Sequence, residues 1–224
     1  MRILYVSNKP SPRGCGIAEF GRLQSEALRR AGADVTLWEA SYPTYLPDDS
    51  ADYDVLHLNY HPVTINHILP QHLPKGPLLS CHFHETHPHW WERGQFPVLW
   101  DAIPPRHRYS SEPGEGVVSH PIGVPDYVPL EPLVRRTGPV LIGHTGLRGD
   151  GLDRVIPVCQ KRGWVLSRSE KWLPMEEEIE RLARCDLIVV HYHGGYSGQS
   201  MGVTTAIASL RPVLINSNRM LHTL

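Results

Sequence analysis

The chain has almost no excess of charge: 22 Lys and Arg against 23 Asp and Glu leave a net −1 over 224 residues. So even a balance argues against tight electrostatic docking on nucleic acid or on an anionic membrane. No apolar run approaches the roughly 20 residues that a bilayer crossing needs. The four cysteines, Cys15, Cys81, Cys159 and Cys185, lie far apart and form no C-x-x-C pair. With no signal peptide in the opening MRILYVSNKP, they read as reduced thiols, and a soluble, cytoplasmic protein is expected. Internal repeats and low-complexity segments are also missing.

What is present is ordinary for a globular chain, at 41% apolar and 20% charged residues. The length suits two small α/β lobes of about 100 residues each. The 21 prolines predict rigid loops and few long helices. Arginine dominates the basic side chains, which suits bidentate contacts to oxyanions, although a GC-rich genome leaves the same signature.

The first forty residues carry the clearest pattern. Arg2 to Ser7 is a short apolar run, as a buried parallel strand requires. Asn8 to Gly16 is rich in glycine and proline and reads as a loop. From Ile17 the spacing is helical, with Ile17, Phe20, Leu23, Ala27 and Leu28 on one stripe ending at Gly32. Asp34 to Ala40 is the next strand and completes a βαβ unit. Strands are expected at Asp54–Asn59, Pro77–His82, Arg108–Ser110 and Gly116–Ser119, with a short helical stretch near Ile65–Leu73. Glu85 to Pro105 reads as a loop holding a short helix.

Gly123 to Gly138 reads as a linker, dividing the chain into lobes 1–125 and 126–224. Beyond it come a strand at Val140–His144, a helix at Gly151–Arg162, a strand at Trp164–Ser167 and a helix after Pro174. A strand at Asp186–Tyr192, a helix at Ser197–Leu210 and a strand at Pro212–Ser217 follow. The fold class implied is α/β, with two Rossmann-like, doubly wound parallel sheets and a ligand cleft between the lobes.

Two loops suit an anion. Gly14 and Gly16 stand between the first strand and first helix, where glycine permits close backbone approach and a helix N-terminus favours negative charge. The dinucleotide fingerprint fails there, because Glu19 stands where its third glycine belongs and the next glycine is Gly21. An NAD-dependent oxidoreductase survives only through Glu39, and an ordinary βα turn explains the glycines as well. His193 to Ser200 (HGGYSGQS) is the second loop. No lysine follows in the P-loop pattern, which argues against an ATPase or kinase, and a serine N-cap alone would explain Ser197.

Ser80 to Trp90 (SCHFHETHPHW) gathers His82, His84, His87 and His89 around Glu85. Strand alternation places His82 and His84 on one side. Such a cluster admits a zinc-dependent metalloenzyme as a rival reading. Histidines at strand ends more often line sites or hold hydrogen bonds, so no metal site is expected.

In this order and spacing, the segments resemble the GT-B glycosyltransferases, particularly the large retaining family that uses nucleotide-sugar donors. The opening RILYVSNKPSPRGCGIAEFGRLQSEALRRAGADVTLWEA resembles that family's first βαβ unit. SCHFHET falls where the family has His-Asp, and VVSHPIGVPD resembles the turn into its second lobe. IGHTGLRGDGLDRVI and CDLIVVHYHGGYSGQSMGVTTAIASLRPVLIN resemble its donor-binding segments. The family's lysine falls on Asp150, and its paired glutamates fall on Ser197 and Thr205.

The resemblance implies a metal-independent glycosyltransferase with a UDP or GDP sugar as co-substrate and no obligatory cofactor. His84 and Glu85 would be its catalytic pair. Gly14, Gly16, Arg148, Ser197, Gly198, Gln199, Ser200 and Thr205 would line the donor and its phosphates. The acceptor would be a glycan, protein, lipid or modified nucleobase. A nucleotide-sugar binding protein without turnover is the main alternative.

Overall fold

The structure is a computed structural model describing residues 1–10, 15–40, 45–61, 70–84, 96–110, 118–119, 127, 129, 137–145, 151–171, 173–191 and 201–215. It divides into two compact units, essentially Met1–Pro121 and Ile122–His222.

The first unit runs β1 (Arg2–Asn8), α1 (Gly16–Arg30), β2 (Asp34–Ala40), β3 (Val55–Tyr60), β4 (Leu78–Phe83), α2 (Phe96–Ala102), β5 (Arg108–Ser110) and β6 (Val118–Ser119). These form a parallel sheet in the order β2-β1-β3-β4-β5-β6, in which β6 is a two-residue rung. Strands covered on both faces must be apolar on both parities, and Ile3 to Val6 are accordingly all buried. On one face Ile3, Tyr5 and Val35 pack with Leu28 of α1. On the other, Leu4, Val6, Leu58, Cys81 and Phe83 meet Leu99, Trp100 and Ile103 in and just beyond α2. Helix α1 ends where Gly32 takes φ +90°, a conformation glycine adopts at little cost.

The second unit runs β7 (Leu141–His144), α3 (Leu152–Arg162), β8 (Val165–Ser167), α4 (Met175–Ala183), β9 (Leu187–Val190), α5 (Met201–Ala208) and β10 (Val213–Ile215). Its parallel sheet has the order β10-β9-β7-β8. Leu182, Cys185, Ile188, Val190, Val203 and Ala206 form its main core. Gly143 lets α4 close on β7, because a methyl group there would stand 3.0 Å from both Cys185 Sγ and Leu182 Cδ2.

The α/β class and the two parallel sheets are as the sequence leads one to expect. Strand ends shift by one or two residues: β3 and β4 each run one residue further, to Tyr60 and Phe83. Near Ile65–Leu73 only a 3-10 turn at Pro70–His72 lies within the described residues, and α2 is the short helix expected between Glu85 and Pro105. The helix expected at Ser197–Leu210 is described from Met201 to Ala208, and residues 192–200 lie outside the described set. Among the described residues, no helix is long and apolar enough to cross a membrane.

In each sheet the strand order reverses once, between β1 and β3 and between β7 and β9. Ligands of open α/β sheets bind beyond the strand carboxyl ends at such reversals.

Candidate functional site

The first reversal is lined by one parity of three strands. Alternation sends Ser7 of β1, His57 and Asn59 of β3, and Ser80 and His82 of β4 to the face that α1 covers. The opposite parity, Val6, Leu58, Cys81 and Phe83, supplies the apolar core. A sheet that is oily on one side thus carries a buried polar stripe on the other.

Buried polar groups require partners, and Ser7, Asn59, Ser80 and one nitrogen of His57 find theirs here. His57 Nδ1 lies 2.8 Å from Ser80 Oγ. Asn59 Nδ2 donates to Ser7 Oγ and to the Ile17 carbonyl, each at 2.9 Å. Asn59 Oδ1 stands 2.5 Å from Nε2 of His84, one residue beyond β4. Strands β1, β3 and β4 are therefore tied to the first turn of α1 through a single amide.

Gly21 makes that closeness feasible. A methyl group on it would stand 2.3 Å from Ser7 Oγ and 2.9 Å from Asn59 Nδ2, so α1 rests directly on the polar stripe. The third glycine of a dinucleotide fingerprint serves close helix–strand packing. Gly21 does so here, two positions later than the fingerprint places it.

Phe20 seats the two histidines, with ring centroids 4.6 Å from His82 and 4.9 Å from His84. The imidazoles lie 4.7 Å apart, so the sequence expectation that they share a side holds. His82 is fully buried, whereas His84 keeps some surface. Burial, with smaller contributions from neighbouring His61 and His57, brings the His84 pKa down to about 3. The ring is neutral at physiological pH.

At the end of β1, Asn8 Nδ2 donates to Cys15 Sγ at 3.0 Å, while its Oδ1 is buried without a partner among the described residues. Cys15 precedes Gly16, the first residue of α1. Gly14 and Glu85 lie outside the described residues. Also among those residues, no three His, Cys, Asp or Glu side chains gather as a metal-ligand set.

In the second unit, β7 ends at His144 and β9 at Val190, neighbours in the sheet. Arg148 and Ser197, Gly198, Gln199 and Ser200 lie outside the described residues, but their flanks do not. Gly151 opens α3 at φ +76°, and a methyl group on it would fall 2.3 Å from Nδ1 of His191. The segments carrying Arg148 and Ser197–Ser200 therefore attach to adjacent points of this reversal. Thr205 is buried inside α5.

Arg181 stabilises the same end of the sheet. Its Nη2 donates to the His144 carbonyl at 2.8 Å and its Nη1 to Ser167 O and Oγ at 2.9 and 3.0 Å. Its Nε and Nη2 also bond the Glu178 carboxylate at 2.8 and 2.6 Å.

No protein-family model matches the chain, and no curated protein matches its sequence.

Sequence reasoning named His84 but passed over Ser7, Asn59, Gly21 and Arg181. An asparagine amid the apolar residues of VLHLNY was the available signal for Asn59. Arg181 offered none, since an arginine on a glutamate-rich helix reads as a surface ion pair.

Proposed function

We propose that this protein is a glycosyltransferase of GT-B type, transferring a sugar from a nucleotide diphosphate sugar to a hydroxyl-bearing acceptor. The observation that carries the reading is the buried polar stripe of the first unit, ending in a neutral His84 that bonds Asn59 of β3, one of the two strands at the reversal. The His84 end of the stripe, which keeps some surface, suits a polyhydroxylated ligand, because it offers an uncharged hydrogen-bonding ring in a partly desolvated setting. The second unit supplies the donor side. There, Gly151 and His191 bring the attachment points of the Arg148 and Ser197–Ser200 segments together.

In this mechanism the acceptor oxygen forms a bond to the anomeric carbon as the bond from that carbon to the diphosphate breaks. Charge grows on the leaving diphosphate, and Arg148 with the backbone N–H groups around Gly198 offsets it. A nitrogen that protonates only near pH 3 is a weak proton acceptor at pH 7 but a sound hydrogen-bond acceptor. His84 therefore orients a sugar hydroxyl, and the acceptor proton passes to the departing phosphate, as a retaining transfer allows. Glu85, next in the chain, lines the same side.

A second reading, binding of a nucleotide sugar without turnover, is favoured by one observation: Thr205 is buried within α5, and neither it nor Ser197 is a glutamate. The test is incubation of the full chain with UDP- and GDP-sugars while nucleoside diphosphate release is followed. Release that falls in His84→Asn supports transfer. Saturable binding without release supports the second reading, and the lack of both rejects the two together.

A further inference from the structure

We propose that Asn59 is a positioning residue, which holds His84 in its Nε2–H tautomer and so presents Nδ1 as a hydrogen-bond acceptor. The inference concerns the imidazole alone and stands apart from any transfer reaction.

The Ile17 carbonyl oxygen can only accept, so the Asn59 atom 2.9 Å away must be the amide nitrogen. The same nitrogen reaches Ser7 Oγ at 2.9 Å, which uses both of its protons. The remaining amide atom, Oδ1, can only accept. It therefore takes a proton from Nε2 of His84, 2.5 Å away. A neutral imidazole holds one N–H, so Nδ1 is left with a lone pair.

Nothing among the described residues claims that lone pair. Nε2···Oδ1 is the hydrogen bond of the ring, and His84 keeps some surface. The ring plane is set by Phe20 edge-on and by His82 beside it. An sp² nitrogen lone pair attracts a hydroxyl or amine proton and repels an oxyanion. The position facing Nδ1 consequently selects a hydroxyl-bearing edge over a phosphate.

The test is NMR of the full chain labelled with ¹⁵N-histidine, with His84 resonances assigned by their loss in His84→Asn. The expected result is a downfield proton with one-bond coupling to Nε2 of His84, protected from exchange with water. In Asn59→Leu, similar in size but without hydrogen bonds, that proton exchanges about tenfold faster or broadens away. Asn59→Asp, which keeps an acceptor, retains it. Ser7→Ala, which removes one of the two acceptors orienting the amide, gives an intermediate rate. A purely structural role for Asn59 would lower Tm in Asn59→Leu while leaving the proton in place. If Asn59→Leu does not fold, the wild-type and Ser7→Ala spectra decide. A proton on Nδ1, or exchange unchanged in Ser7→Ala and in any folded Asn59→Leu, overturns the proposal.

Discussion

Gly21 and Ser7 approach so closely that a methyl group on the glycine would lie 2.3 Å from the serine hydroxyl oxygen. Alanine in a helix interior is ordinarily favoured over glycine by about 1 kcal/mol. Here the added methyl must push α1 away from β1 and from Asn59, an overpacking that costs about 1–3 kcal/mol. Gly21→Ala is therefore expected to lower stability in denaturant unfolding. A rise in midpoint would mean that α1 does not rest on the polar stripe.

His84 gives a pH dependence whose sign follows from its environment. Its folded pKa is about 3, against 6.5 for an ordinary histidine. Between those values the unfolded chain binds a proton that the folded His84 refuses, so stability is lost as pH falls through that window. Above about pH 6.5 the group contributes nothing to the slope. From pH 7 to pH 4 the loss is on the order of 3 kcal/mol, at 1.36 kcal/mol per unit. His84→Asn should flatten this part of the profile, measured by urea unfolding at each pH. Parallel profiles for variant and wild type would contradict the buried, neutral ring.

How much of this was legible in the sequence differs from group to group. Helix α1 was readable because Ile17, Phe20, Leu23, Ala27 and Leu28 repeat at helical spacing, and Gly32 closes it. The strands were readable because burial on both faces imposes short apolar runs. The shared side of His82 and His84 followed from alternation along one strand. Asn59 was not readable, since its partners, Ser7 and the Ile17 carbonyl, are 52 and 42 positions away. Gly21 looked like a failure of a fingerprint, because the distance between a helix and a strand is set by packing rather than by local pattern. Arg181 was hidden for the same reason: its carbonyl acceptors belong to His144 and Ser167, on other elements.

In the second unit, Gly151→Ala meets two obstacles. The residue has φ +76°, and the new methyl would overlap the ring of His191. The left-handed backbone alone costs about 1–2 kcal/mol for an L-residue. The expected result is a lower Tm together with a shifted His191 imidazole signal in NMR. A shift in Tm without movement of His191 would separate backbone strain from the contact.

Arg181→Met removes the donors that satisfy the ends of β7 and β8 and leaves Glu178, 17% exposed, without its cation. A largely buried, multiply bonded ion pair broken from one side costs about 2–4 kcal/mol. Arg181→Lys should recover less than half, because an ammonium cannot span two strand ends and a carboxylate at once. Denaturant unfolding of the three proteins checks this, and full recovery by lysine would reduce the arginine to a simple charge.

On the function proposed above, the second unit takes a nucleotide diphosphate sugar. The most direct measurement is calorimetric titration of the full chain, and of Gly198→Asp, with UDP, GDP and their sugars, and with NAD and zinc as rivals. One nucleoside diphosphate and its sugar should bind saturably to the wild-type chain. The carboxylate in Gly198→Asp should weaken that binding by about tenfold or more, equivalent to about 1.4 kcal/mol. Unchanged affinity in a folded Gly198→Asp, or binding of zinc or NAD alone, would contradict the account.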